Sequence, residues 1–228
     1  MSEAEPRHAL VTGASSGIGA AVVARLLADG WRVTGVSRGQ GSVAHPRYRH
    51  LALDLCDLDA IAPAVGDRAV TALVHAAGLL RVGRLGEAAP TDGATMWRLH
   101  VEAATRLADL LVPRMGQGGR VVLIGSRTAA GAAGRGAYAA SKAALVALAR
   151  SWAAEVMPRG ITVNVVAPAA TETPMLTDPS RSGVAPKRPP LGRFIQPAEV
   201  AAAVAYFLSP EAAAVTGQQL VICGGSSL

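Results

Sequence analysis

The chain has 228 residues, half of them hydrophobic and 17% charged, which excludes a disordered polymer and leaves room for one sizeable core. A net charge of +6 raises nucleic acid as a partner, but the arginines are scattered and aromatics make up only 4%, so no nucleic-acid interface is expected. No apolar run approaches the ~18 residues of a membrane span, and the opening Met1-Ser-Glu-Ala-Glu-Pro6 has no apolar core, so neither a membrane segment nor a leader is expected and cytoplasm is the default.

His8-Ala-Leu-Val-Thr12 is a short apolar run that predicts a buried strand. It feeds Gly13-Ala-Ser15-Ser16-Gly17-Ile18-Gly19, and an apolar helix follows until Gly30. Strand, glycine turn and helix stand in the order that binds phosphate: Gly13 permits the tight turn, Gly17 lets backbone approach a pyrophosphate, Gly19 lets helix and strand pack closely, and the helix N-terminus attracts the anion. Trp31 to Val36 predicts a second strand ending at Ser37-Arg38. In a dinucleotide fold a carboxylate at that end accepts from ribose hydroxyls, whereas an arginine accommodates a 2′-phosphate. Ser37 and Arg38 therefore predict NADP(H) rather than NAD(H).

The polar segment Gly39 to Arg47 takes the place of a helix, and Leu51 to Leu55 predicts the third strand. Asp54 there could cap the helix starting near Leu58 or accept from an adenine amino group. Val70 to His75 predicts a fourth strand, a helix is expected from about Thr95 to Met115, and Gly118 to Ile124 predicts a fifth strand that delivers Ser126 at its carboxyl end. Open α/β sheets place ligands there, although a loop serine satisfying its own backbone is the plain alternative. A helix to about Val156 follows, then a strand over Ile161 to Val166, a Pro- and Arg-rich lid over about 168–196, a helix from Pro197 to Leu208, and a strand over Gln218 to Ile222. This alternation predicts one α/β domain spanning 1–228, a doubly wound seven-stranded parallel sheet with helices on both faces. Cys56 and Cys223 have no paired spacing, so no metal site is expected.

Tyr138 and Lys142 lie four apart on the long helix, so they share one face a turn apart. A free tyrosine titrates near ~10, and a neighbouring ammonium favours phenolate and makes the group a usable acid or base at neutral pH. Lys142 is one of only two lysines in the chain.

Thr12-Gly-Ala-Ser-Ser-Gly-Ile-Gly19, Ala76-Ala77-Gly78, Ile124-Gly-Ser126, Tyr138-Ala-Ala-Ser-Lys142, Asn164-Val-Val-Ala-Pro168 and Pro190-Leu-Gly-Arg-Phe194 stand in one collinear order. The chain resembles the short-chain dehydrogenase/reductase family, in particular its 3-oxoacyl-carrier-protein reductases and related carbonyl reductases. The resemblance implies a Rossmann-type domain, a homotetramer or homodimer, and a nicotinamide cofactor that interconverts a ketone and an alcohol. It implies that Tyr138 is the acid/base, that Ser126 bonds the reacting oxygen, and that Lys142 holds the nicotinamide ribose. His100 stands where the family has an active-site Asn whose main-chain carbonyl serves a relay, so the relay is expected to survive with altered helix geometry. The implied cofactor set is Gly13, Ser15, Ser16, Gly17, Ile18 and Gly19 for phosphate and ribose, with Ser37 and Arg38 at the 2′ position. Asp54 and Leu55 are implied for adenine, Ala76, Ala77 and Gly78 for the cleft floor, and Pro168, Ala169, Thr171 and Thr173 for the nicotinamide. His75-Ala76 replaces the family's Asn pair, expected mainly to change strand packing, and Ala169 replaces a Gly.

The expected partner is a small carbonyl or alcohol substrate. Arg81, Arg84, Arg127, Arg135, Lys187 and Arg188 fall in segments around the pocket mouth and suggest an anionic or carrier-bound one, though solvated surface arginines explain them equally well. Two other readings stay open: an NAD-dependent dihydrodiol dehydrogenase, from Ala76 to Gly83 and the missing helix, and a non-catalytic dinucleotide-binding regulator.

Overall fold

Alternation decides the layers. In β1 (His8–Thr12) successive side chains point to opposite faces, so Leu10 enters one core while Ala9 and Val11 enter the other. Both cores are built of buried apolar side chains, as a parallel sheet covered on both faces requires. The computed structural model describes residues 7–39, 41, 43–178 and 186–228; the opening 1–6 and part of the expected lid, 179–185, lie outside the described residues.

The other strands are β2 (Arg32–Ser37), β3 (Tyr48–Ala52), β4 (Ala72–His75), β5 (Arg120–Ile124), β6 (Thr162–Pro168) and β7 (Gln219–Ile222). They form one seven-stranded sheet in the order β3-β2-β1-β4-β5-β6-β7, parallel throughout. Helices α1 (Gly17–Ala28), α2 (Leu58–Val65), α3 (Pro90–Trp97), α4 (Ala103–Leu111), α5 (Gly136–Val156) and α6 (Pro197–Leu208) complete the alternation. One core packs Ile61, Leu107 and Leu145 against the sheet, and the other packs Val22, Leu26 and Val204. The order reverses between β1 and β4, and that switch point opens the ligand crevice at the carboxyl ends of the strands.

β3 lies three residues earlier than the apolar run suggests. It is the sheet edge, half exposed, and its register follows pairing with β2, Ser37 opposite Ala52, while Leu53 and Leu55 are buried beyond its end. Asp57, not Asp54, caps α2 by accepting from Ala60 N–H; Asp54 accepts from Cys56 N–H. The long helix begins at Pro90 rather than Thr95 and contains a π-helical turn, Arg98–Glu102, between α3 and α4. Ala103 N–H there reaches back to Arg98 C=O, the i→i+5 bond that often marks a functional site. His100 sits in this turn.

Candidate active site

The glycine turn is built by exclusion of side chains. Gly13 has φ +66°, and a Cβ there would lie 2.9 Å from Ala76 O and Ala77 N; one on Gly19 would lie 2.1 Å from Gly13 O. These neighbours are backbone, so the turn tolerates hydrogen alone. Thr12, fully buried, ties the turn to β4: its Oγ1 accepts from Ala76 N–H at 3.0 Å and Ala77 N–H at 2.9 Å.

The same hydroxyl lies 3.1 Å from His75 Nδ1, and His75 Nε2 lies 3.1 Å from Leu99 O. A carbonyl only accepts, so Nε2 carries the proton and Nδ1 accepts from Thr12. His75 therefore joins the glycine turn to the π turn, a wider role than strand packing. Burial, then the charge of Lys142, lowers its pKa to about 3 against the Leu99 hydrogen bond.

His100 has the opposite tautomer. Leu79 N–H donates to Nε2 at 3.1 Å, Nδ1 donates to Ser141 Oγ at 2.9 Å, and Ser141 donates to Tyr138 O at 2.8 Å. Burial and then Lys142 hold its pKa well below the usual histidine range. Its ring meets Tyr138 edge-on, centroids 5.6 Å apart. Lys142 is buried, donates to Ile124 O at 2.8 Å and stands 5.9 Å from the Tyr138 ring centre; burial lowers its pKa to about 7. Ser126 Oγ accepts from Thr128 N–H at 3.1 Å, the backbone-capping alternative, yet accepting leaves the hydroxyl proton to be donated elsewhere.

A cleft of about 790 Å3 runs beside this cluster. Its walls include Gly13, Ser15, Ser16, Gly17, Ile18, Gly19, Ser37, Arg38, Asp54, Leu55, Ala76, Ala77, Gly78 and Thr173, with Leu79 and Leu80, and the unforeseen Thr95 and Leu99. Gly78 joins cleft to cluster: a Cβ on it would lie 3.1 Å from His100 Nε2 and 3.6 Å from Lys142 Nζ. Pro168, Ala169 and Thr171 are not on these walls, nor are Ser126, Tyr138 and Lys142; Ala169 N–H donates to Ile222 O, and Thr171, Ser126 and Lys142 are buried. The residues fit a dinucleotide, because side-chain-free backbone faces the cleft at the helix N-terminus and a serine, not a carboxylate, ends β2.

Three of the pocket-mouth cations have partners within the chain, and Arg135 pairs by a backbone bridge with Gly83. Arg81 lies 3.9 Å from Asp92 and lines the cleft, Arg127 donates to Ser226 O, and Arg188 lies over the Phe194 ring. A separate groove of about 360 Å3 near Arg7, Trp31 and Tyr206 holds none of the motif residues.

Comparison with known proteins decides the family. The family profile described as enoyl-(acyl carrier protein) reductase matches residues 13–227. The 3-oxoacyl-[acyl-carrier-protein] reductase FabG of Vibrio cholerae is 35% identical, covering 97% of each chain. The chain belongs to the short-chain dehydrogenase/reductase family. This short-chain dehydrogenase/reductase is also 34% identical, over 94% of each chain, to the cyclic-di-GMP-binding biofilm dispersal mediator protein of Escherichia coli. A blue fluorescent protein from a metagenomic library, solved in complex with NADPH, superposes with a TM-score of 0.84 at 32% identity, covering 97% of this chain and 98% of that one.

Among the described residues no helix is long and apolar enough to cross a membrane, and no His, Cys, Asp and Glu cluster could hold a metal ion.

Proposed function

We propose that the protein is an NADP(H)-dependent oxidoreductase interconverting a ketone and a secondary alcohol, of the 3-oxoacyl reductase type. The observation that carries this is the buried Lys142, 2.8 Å from Ile124 O and 5.9 Å from the Tyr138 ring, packed behind Gly78 of the glycine-lined cleft. Such a cation stabilises negative charge on the phenol, so Tyr138 can give a proton to a carbonyl oxygen as it becomes an alcohol and take it back in reverse. Ser126 donates its hydroxyl proton to the same oxygen and orients it. Lys142, besides charging the site, holds the cofactor ribose; when bound, the nicotinamide supplies or accepts the hydride. The His100–Ser141 chain keeps Tyr138 in place.

The 2′-phosphate is assigned to Ser37 and Arg38, supported by the NADPH bound in the structural relative and by guanidinium's fit to phosphate oxygens. A carrier-bound 3-oxoacyl substrate is supported by the name of the reductase relative. A homotetramer or homodimer belongs to the same reading, because the β7 edge exposes Leu220 and Val221, as does a cytoplasmic setting.

A second reading, a dinucleotide-binding regulator without turnover, is favoured by the cyclic-di-GMP-binding relative. The test is NADPH and NADH oxidation against ketones that include 3-oxoacyl thioesters of coenzyme A and carrier protein. Turnover with NADPH is expected; dinucleotide binding with no turnover of any ketone supports the regulator.

A further inference from the structure

We propose that His50 is a specificity-determining residue for the cofactor: it acts through Ser37, holding that hydroxyl so that its proton can be given to a 2′-phosphate. The proposal rests on the NADP(H) reading above. His50 lies on β3, the neighbour of β2, and its Nε2 is 2.9 Å from Ser37 Oγ. Gly41 packs against His50, because a Cβ on it would come within 2.9 Å of His50 Cβ and 3.0 Å of the ring carbon Cγ. Ser37 and Arg38 line the cleft and His50 does not, so His50 reaches a ligand only by way of Ser37.

The hydrogen-bond inventory supplies the direction. Ser37 has one hydroxyl proton and two neighbours able to accept it, Gly39 O at 3.2 Å and His50 Nε2. A carbonyl cannot donate, so the two contacts hold together only if Ser37 donates to Gly39 and His50 donates from Nε2–H to Ser37. At 3.2 Å the bond to Gly39 is longer than an ordinary O–H···O bond, and the hydroxyl can exchange it for a charge-assisted bond to a phosphate oxygen. During that exchange His50 keeps the oxygen in place and its proton uncommitted. Were the ring to accept instead, Ser37 would present lone pairs to an anion. A dinucleotide without the 2′-phosphate has nothing for this device to hold, so discrimination follows.

Binding, not turnover, is the readout: the dissociation constants of NADPH and NADH are measured by intrinsic fluorescence titration of the full chain. His50→Ala is expected to weaken NADPH by about three- to tenfold, the effect of one net hydrogen bond, with NADH unchanged. His50→Gln, whose amide N–H can still donate, restores most of the loss. Ser37→Ala costs a similar factor, and Ser37→Ala with His50→Ala costs no more than Ser37→Ala alone. His50→Leu, which keeps the bulk without a donor, gives the same result should Ala destabilise the sheet edge. Equal losses for both cofactors, or a double variant falling by the product of the single ones, overturn the proposal. A wild type that prefers NADPH through Arg38 yet ignores His50→Ala and His50→Leu overturns this proposal alone. A wild type that prefers NADH overturns the cofactor reading together with it.

Discussion

His100 Nδ1 donates to the hydroxyl of Ser141 at 2.9 Å, and Ser141 in turn donates to the carbonyl of Tyr138 at 2.8 Å. Only a neutral ring can do this while accepting from Leu79 N–H, because a second ring proton would face that N–H. An asparagine side chain also offers both a donor group and an acceptor group. His100→Asn is therefore expected to stay within about tenfold of wild-type kcat, whereas His100→Phe, which removes the acceptor of Leu79 N–H and the donor to Ser141 Oγ, falls by roughly tenfold or more. NADPH affinity is expected to change little in either. Equal kcat for Phe and wild type contradicts the positioning role.

The two buried histidines make stability pH-dependent. Both have folded pKa values below the unfolded one, His75 at about 3 through burial and the Lys142 charge, His100 in the same direction. Below about pH 6.5 the unfolded rings bind protons that the folded ones do not, down to about pH 3 for His75, so their contribution is complete above ~6.5 and is lost as pH falls, by at most about 1.4 kcal/mol per pH unit for each ring. Urea unfolding at pH 7.5, 6.0 and 5.0 measures the slope above the carboxylate range. His75→Gln should flatten it; an equal slope in the variant removes His75 as the cause.

Gly19→Ala is expected to destabilise the chain by ~1–3 kcal/mol or more, since overpacking against fixed atoms forces the backbone to move, and a Cβ would lie 2.1 Å from Gly13 O. Gly116→Ala, with nothing within 4 Å, is the control. Similar melting temperatures for the two variants contradict the packing argument.

Arg38 is exposed at the end of β2. Arg38→Ala is expected to lower the NADPH-over-NADH ratio of kcat/KM by one to two orders of magnitude, the effect of a charged hydrogen bond of ~1.5–3 kcal/mol. An unchanged ratio removes Arg38 from the cofactor site.

Buried central elements are legible in the sequence because hydrophobicity and caps spell them out. β1 and α6 begin and end where the apolar run and the Pro197 start signal put them. β3 is not legible in this way, because an edge strand is half polar and its register is decided by β2, while the apolar Leu53 and Leu55 serve the core beyond it. The start of α3 is hidden because Ala89-Pro90-Thr-Asp-Gly93 reads equally as a turn. Most of the cofactor set that the family resemblance implies lines one cleft, because the motifs stand at the carboxyl ends of neighbouring strands. The links between side chains are not legible: the His75 bond to Leu99, the His100 bond to Ser141 and the His50 bond to Ser37 join residues 24, 41 and 13 apart in sequence, and no local pattern records which ring nitrogen meets which partner.

The central claim is that the Tyr138 phenol carries the proton. With the ketone that turns over fastest, kcat and the NADPH dissociation constant are measured in wild type and Tyr138→Phe, which removes the hydroxyl and keeps the ring against His100. Loss of a positioned acid/base should lower kcat by about 10²–10⁴-fold, with NADPH affinity within a few-fold. Retention of more than about a tenth of wild-type kcat would contradict the assignment of Tyr138 as the acid/base.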